Sequence, residues 1–141
     1  MPKELNVFVE NRPGRLRSVA QVLSESKINV RTMTLQDRGE YGLMKLIVNN
    51  PDQAYLALAD KGFACALKEI LAIAIKDKPG SFLKLTEIFT DNKVNVLDAY
   101  GFVIESSKRA VFCIEVKNPE EIKKVLKEND FDVLEDELYE F

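Results

Sequence analysis

The chain contains no histidine. That absence removes Ser-His and Cys-His nucleophile pairs, and with them the commonest zinc ligand. Cysteine is scarce. Cys65 and Cys113 are the only two, each in apolar surroundings, and they do not correspond between the two halves of the chain. They read as reduced core residues of a cytoplasmic protein, with a disulfide as the lesser alternative. There is no Cys-x-x-Cys pair to carry a metal. Long apolar runs are missing too: the longest, Ile70 to Ile75, is far short of the roughly 20 residues of a membrane helix. The start, Met1-Pro2-Lys3-Glu4, shows no basic-then-apolar secretory pattern. Nor is there an excess of positive charge. A net charge of −3 and a pI near 5.2 argue against a nucleic-acid or anionic-membrane partner. These absences lead us to expect no catalytic residues, no cofactor and no metal.

What the chain does have is a repeat. Asn11-Arg12-Pro13-Gly14-Arg15-Leu16 returns 66 residues later as Asp77-Lys78-Pro79-Gly80-Ser81-Phe82. A short apolar strand precedes each copy, and each following helix ends in a near-identical phrase, Lys27-Ile28-Asn29-Val30 and Lys93-Val94-Asn95-Val96. A fixed-period repeat outranks any single motif as a clue to fold. It divides the 141 residues into modules at 1–69 and 70–141. A module of about 70 residues buries only about 60% of its unfolded surface, so the two are expected to pack on each other. No Gly-, Pro- or Ser-rich linker separates them, which predicts a stiff joint.

Leu5, Val7 and Val9 alternate with Asn6 and Phe8, predicting a strand with one buried face. Leu16, Val19, Ala20 and Leu23 fall on one helical face. A second strand is expected over 28–36, a hairpin turn over 37–40 and a third strand over 42–49. Asn50 is placed to cap a helix, with Pro51 at its first position and Gln53 as the capping-box partner. Gly62 ends that helix, and a last strand follows. The second half repeats the order: Phe82, Leu85, Ile88 and Phe89 on one helical face, strands over 94–105 and 109–116, a helix capped by Asn118, and a last strand after Phe131. There the offset has grown to 68, since Pro119 answers Pro51, and the extra two residues are assigned to the hairpin. Each module thus reads βαββαβ. The fold class is α+β: two ferredoxin-like modules, antiparallel sheets with helices on one face, packed side by side.

With Glu10 to Leu16 followed by Ile28-Asn29-Val30, and the matching second set, the chain resembles tandem ACT domains, small regulatory modules that bind amino acids. The resemblance covers essentially the whole chain and leaves no catalytic domain over. It implies modules pairing along their second strands, with ligand between the first loop of one and the second-strand start of the other. One site would use Asn11, Pro13, Gly14 and Leu16 with Asn95, and the other Asp77, Pro79, Gly80 and Phe82 with Asn29. The first loop is similar to that of the serine-sensing module of phosphoglycerate dehydrogenase, although Val9 stands where that module carries a histidine.

The residue chemistry suits such a ligand. A loop ending at a helix N-terminus favours a carboxylate, and Gly14 permits close approach to the backbone. An asparagine amide both donates and accepts. Asp77, when ionised, only accepts, so it suits an ammonium group. Other readings stand beside this one: Pro-Gly as turn and helix start only, Asn29 and Asn95 as backbone partners only. Arg12, Arg15, Arg17 and Arg31 are read as a solvated face. The same topology also serves RNA-recognition modules, but the third strand of module one has no aromatic to stack a base. The expected function is an amino-acid-binding regulatory protein acting on its own assembly or on a partner protein. The alternative is a scaffold that only oligomerises or contacts a protein.

Overall fold

The computed structural model describes all residues from Met1 to Phe141. The elements follow the order read from the sequence: β1 (Lys3–Glu10), α1 (Arg15–Glu25), β2 (Val30–Asp37), β3 (Tyr41–Val48), α2 (Pro51–Asp60), β4 (Ala64–Glu69), then β5 (Leu71–Lys76), α3 (Ser81–Asp91), β6 (Asp98–Glu105), β7 (Arg109–Glu115), α4 (Pro119–Glu128), β8 (Asp132–Leu134) and a closing 3₁₀ helix (Asp136–Glu140). They form two compact units, Lys3–Lys68 with Glu140, and Glu69–Tyr139 with Met1–Pro2 and Phe141. No helix is long and apolar enough to cross a membrane.

Each unit carries one four-stranded sheet, in the orders β2-β3-β1-β4 and β6-β7-β5-β8. The first strand of each module is therefore central, and β2 and β6 are edge strands bonded on one side only. Registers locate the two extra residues. Leu35 faces Met44 and Gly101 faces Phe112, so both fall in the stretch between Gly101 and Phe112, one of them as a bulge beside Ile104.

The helix ends explain why the two halves read alike. α1 ends with Lys27 in the left-handed region (φ 57°), and the Ile28 amide donates back to the Leu23 carbonyl at 2.9 Å. α3 does the same with Lys93 (φ 53°) and a 2.8 Å bond from Val94 to Phe89. This six-to-one bond closes a helix and tucks an apolar residue against its last turn. Because Ile28 and Val94 serve it, β2 begins at Val30 and β6 only at Asp98, later than the hydrophobic pattern predicts. At the start of α2, Asn50 Oδ1 accepts from the Gln53 amide at 3.2 Å. Asn118 holds the same place before α4, but its side chain makes no capping bond.

Helices cover one face of each sheet. In the first unit Leu5, Val7 and Val9 of β1 pack with Val19, Leu23, Met44, Leu46, Leu58 and Phe63. In the second, Leu71 and Ile73 pack with Leu85, Phe89, Ile114, Leu126 and Val133. Burying each such large side chain contributes roughly 1.5–3 kcal/mol. Two sequence expectations shift. Leu16 and Ala20 lie outside the α1 core face, and Leu16 is 43% exposed. β1 is also buried on both faces: Glu4 and Asn6 are buried, with Asn6 Nδ2 donating to Glu4 Oε2 at 2.9 Å and Lys45 opposite Asn6 across the ladder.

Candidate functional site

The two Pro-Gly loops have the same backbone. Arg12 N donates to Glu10 O at 2.9 Å, and Lys78 N to Lys76 O at 3.0 Å. Gly14 (φ 90°, ψ −16°) and Gly80 (φ 90°, ψ −18°) then stand as left-handed N-caps, and no side chain caps α1 or α3. A β-carbon at either position would meet nothing within 4 Å, so glycine is required there by φ and not by crowding. First-turn amides have no intrahelical partner. The first of them, Arg15 N and Ser81 N, donate to Arg12 O at 3.4 Å and to Lys78 O at 3.3 Å; with no capping side chain the amides that follow are available, beside the positive end of the helix dipole, to an anionic group.

The leading residue of each loop is committed internally. Asn11 Nδ2 donates to Asp37 Oδ1 at 3.0 Å and to the Gly39 carbonyl at 3.2 Å. Asp77 Oδ2 accepts from the Ser107 amide at 2.7 Å. Each side chain ties its loop to the hairpin of its own module. Pro13, Gly14 and Pro79, Gly80 are exposed, and so are Leu16 and Phe82 in the first helical turns. Phe82 is 55% exposed, yet its ring lies 5.1 Å from that of Phe112.

Asn29 and Asn95 are exposed, just beyond the helix ends. Asn29 uses its backbone, donating to Asn49 Oδ1 at 3.0 Å and accepting from the Asn49 amide at 3.1 Å. Neither side-chain amide has an intramolecular partner. Within a module, loop and asparagine sit at opposite ends of an 11-residue helix, about 16 Å apart. One module therefore gathers Asn11, Pro13, Gly14 and Leu16, and the other Asp77, Pro79, Gly80 and Phe82, but neither brings its own asparagine to its loop.

One arginine leaves the solvated face assigned to it. The Arg15 guanidinium stacks over the Phe63 ring, 4.7 Å from the centroid, and its Nε is buried without a hydrogen-bond partner. Its position was the available signal, since Arg15 precedes the buried Val19 by four residues and so shares its helical face.

A family model described as an ACT domain pair matches residues 2–140. Among solved structures, a protein from Bacteroides thetaiotaomicron is 30% identical over 99% of this chain and 96% of its own, with a TM-score of 0.93. The ligand-free regulatory subunit of aspartate kinase from Thermus thermophilus shares the fold, at 18% identity, coverage of 89% and 91%, and a TM-score of 0.62. No protein of curated function matches the sequence.

Proposed function

Because the chain belongs to the ACT domain pair family, whose members are regulatory modules and not catalytic domains, we propose that it binds a free amino acid in the cytoplasm and relays that binding to its own assembly or a partner protein. The observation that supports this reading is the pair of uncapped, glycine-started helices, α1 and α3. Their first-turn amides suit the ligand carboxylate. Asn11, Pro13, Gly14 and Leu16 form one half-site, completed by Asn95. Asp77, Pro79, Gly80 and Phe82 form the other, completed by Asn29. Since Asn11 and Asp77 already hold the hairpins, their part is to fix the loop, and the free amides of Asn29 and Asn95 are the side-chain contacts to the ligand.

A thermal-shift screen against the free amino acids tests this. A ligand at about 100 times its Kd stabilises the folded protein by about 2.7 kcal/mol. Replacing Asn29 and Asn95 by Ala removes hydrogen bonds to a charged ligand worth about 1.5–3 kcal/mol each, which shrinks the shift at the same concentration. A screen in which no amino acid raises Tm sinks the proposal.

A second reading, a scaffold without small ligand, is favoured by the exposed apolar residues of the edge strands: Val30, Met33 and Leu35 on β2, Val103 on β6. It predicts an oligomer by light scattering that Leu35→Lys and Val103→Lys dissociate, with no amino-acid response. A monomer across the accessible concentration range rejects it.

A further inference from the structure

The second module holds a cavity of about 780 Å³ that the amino-acid reading does not use. It lies at the start of α3 and is lined by Lys76, Lys78, Ser81 and Lys84, with Ile88 and Phe131 among its apolar lining. Lys108 and Arg109 also reach it but are engaged, Lys108 with Glu105 at 2.9 Å and Arg109 with Asp132 at 3.1 Å. Lys76, Lys78 and Lys84 have no ion-pair partner. Two carboxylates of the lining, Glu87 and Asp130, are likewise unpaired.

The repeat shows why the space is open. Ser81 answers Arg15, and Phe131 answers Phe63. In module one the Arg15 guanidinium, a planar cation, lies over the Phe63 ring. In module two the short Ser81 leaves the corresponding ring without that cover. The surroundings are more basic as well: Lys76 answers Glu10, Lys84 answers Ser18 and Lys108 answers Glu40, while Lys78 answers Arg12 and keeps its sign. Module one covers its ring with its own planar cation, whereas module two has the short Ser81 there, with Lys76, Lys78 and Lys84 around the space.

We propose that this cavity binds a small organic phosphate built on a planar ring, of the class and size of a nucleoside monophosphate. The ring lies on Phe131 as the guanidinium lies on Phe63. The phosphate meets Lys76, Lys78 and Lys84. Glu87 and Asp130 accept from hydroxyl or amine donors on the body of the ligand. The volume is that of an ordinary small-molecule pocket. The proposal stands apart from the amino-acid reading, since it needs neither Asn29 nor Asn95.

The test uses the full chain and three probes: adenosine 5′-monophosphate, inorganic phosphate and adenosine. Nitrogen–proton correlation spectra with the monophosphate are expected to shift amides of residues 76–84 and 131, with affinity at least about tenfold above either fragment. Ser81→Arg, which copies module one, fills the space and abolishes binding. Lys84→Glu, on an exposed helix position that leaves folding alone, lowers affinity by roughly tenfold or more. No shift in those amides at about 10 mM monophosphate, well above a millimolar Kd, overturns the proposal. Equal binding of phosphate alone refutes the ring contact and with it the assignment. Should Ser81→Arg fail to fold, Lys84→Glu decides, and wild-type affinity in that variant overturns the site.

Discussion

Gly101 on β6 faces Phe112 on β7. A β-carbon there would lie 2.9 Å from two Phe112 ring carbons and 3.0 Å from the Val111 carbonyl oxygen. Real β-carbons do not come this close, so Gly101→Ala must push the ring aside. The ring is held in turn by Phe82, 5.1 Å away at a 32° tilt. Overpacking of this kind costs about 1–3 kcal/mol. Alanine recovers about 0.5–1 kcal/mol, because a strand glycine loses more backbone freedom on folding. Taking the middle of each range, the expected net loss is about 1 kcal/mol. Urea unfolding followed by circular dichroism reads it as a lower midpoint at unchanged slope. The same substitution in a Phe112→Ala background should cost clearly less, because only the carbonyl contact survives; the difference between backgrounds is the coupling of residue 101 to the ring. A neutral or stabilising Gly101→Ala would refute the reasoning, and so would an undiminished cost once the ring is gone. Module one shows the alternative solution: Leu35 occupies the equivalent place and faces the flexible Met44.

Gly14→Ala and Gly80→Ala, both in open space at φ 90°, should each cost about 1–2 kcal/mol from φ alone, measured as urea midpoints, and equal losses at the two positions are expected. Asn50→Ala should cost about 1 kcal/mol through its lost cap, whereas Asn118→Ala, which removes no capping bond, should change the midpoint little. Glu135 accepts from Lys123 and lies 3.1 Å from the N-terminal ammonium. Burial pushes its carboxyl up, but those two partners outweigh it and hold the folded value below the ordinary 4.5. The stability it contributes is thus complete above that pH and drains away as pH falls through the folded value. Lys123 is held above its ordinary 10.5, chiefly by the hydrogen bond to Glu135 and against some desolvation, so its share is complete below that pH and is lost only as pH rises through the folded value. Urea midpoints of Glu135→Gln should fall less steeply than wild type on acidification below about pH 4.5, and parallel profiles would show that the cluster does not contribute.

The alternating and helical patterns were enough to order the elements, because each strand and helix buries a continuous apolar stripe that periodicity reports directly. They misplaced the α1 stripe. Anchored on Leu16, the pattern takes in Leu16 and Ala20, whereas the buried line runs through Arg15, Val19 and Leu23, and an arginine at its head does not register as apolar. The planar face of a guanidinium packs on a ring while its edges keep their polarity. The strand starts were read early because Ile28 and Val94 are apolar for the sake of the helix end, not the sheet. At the candidate site, the glycine-started turns at Gly14 and Gly80 were legible from the repeat. The internal bonds of Asn11 and Asp77 were not, since their partners, Asp37, Gly39 and Ser107, lie in hairpins that sequence distance does not bring near. Nor was the Ser81 cavity, which becomes visible only when Arg15 is seen filling its counterpart.

Of the four edge strands, β2 and β6 each carry a flaw in their ladders. β2 skips register at Arg31, between Val30 and Thr32, and β6 at Ile104, between Val103 and Glu105. An extra residue of this kind bends the strand and spoils its outer row of donors and acceptors. The apolar side chains along these edges would otherwise invite strands to add one after another into a fibre. The bulges sit at opposite ends of their strands, the start of β2 and the end of β6. Each edge therefore keeps a regular run long enough for one partner strand of matching length and interrupts the flat, full-length rail along which unlimited growth would proceed.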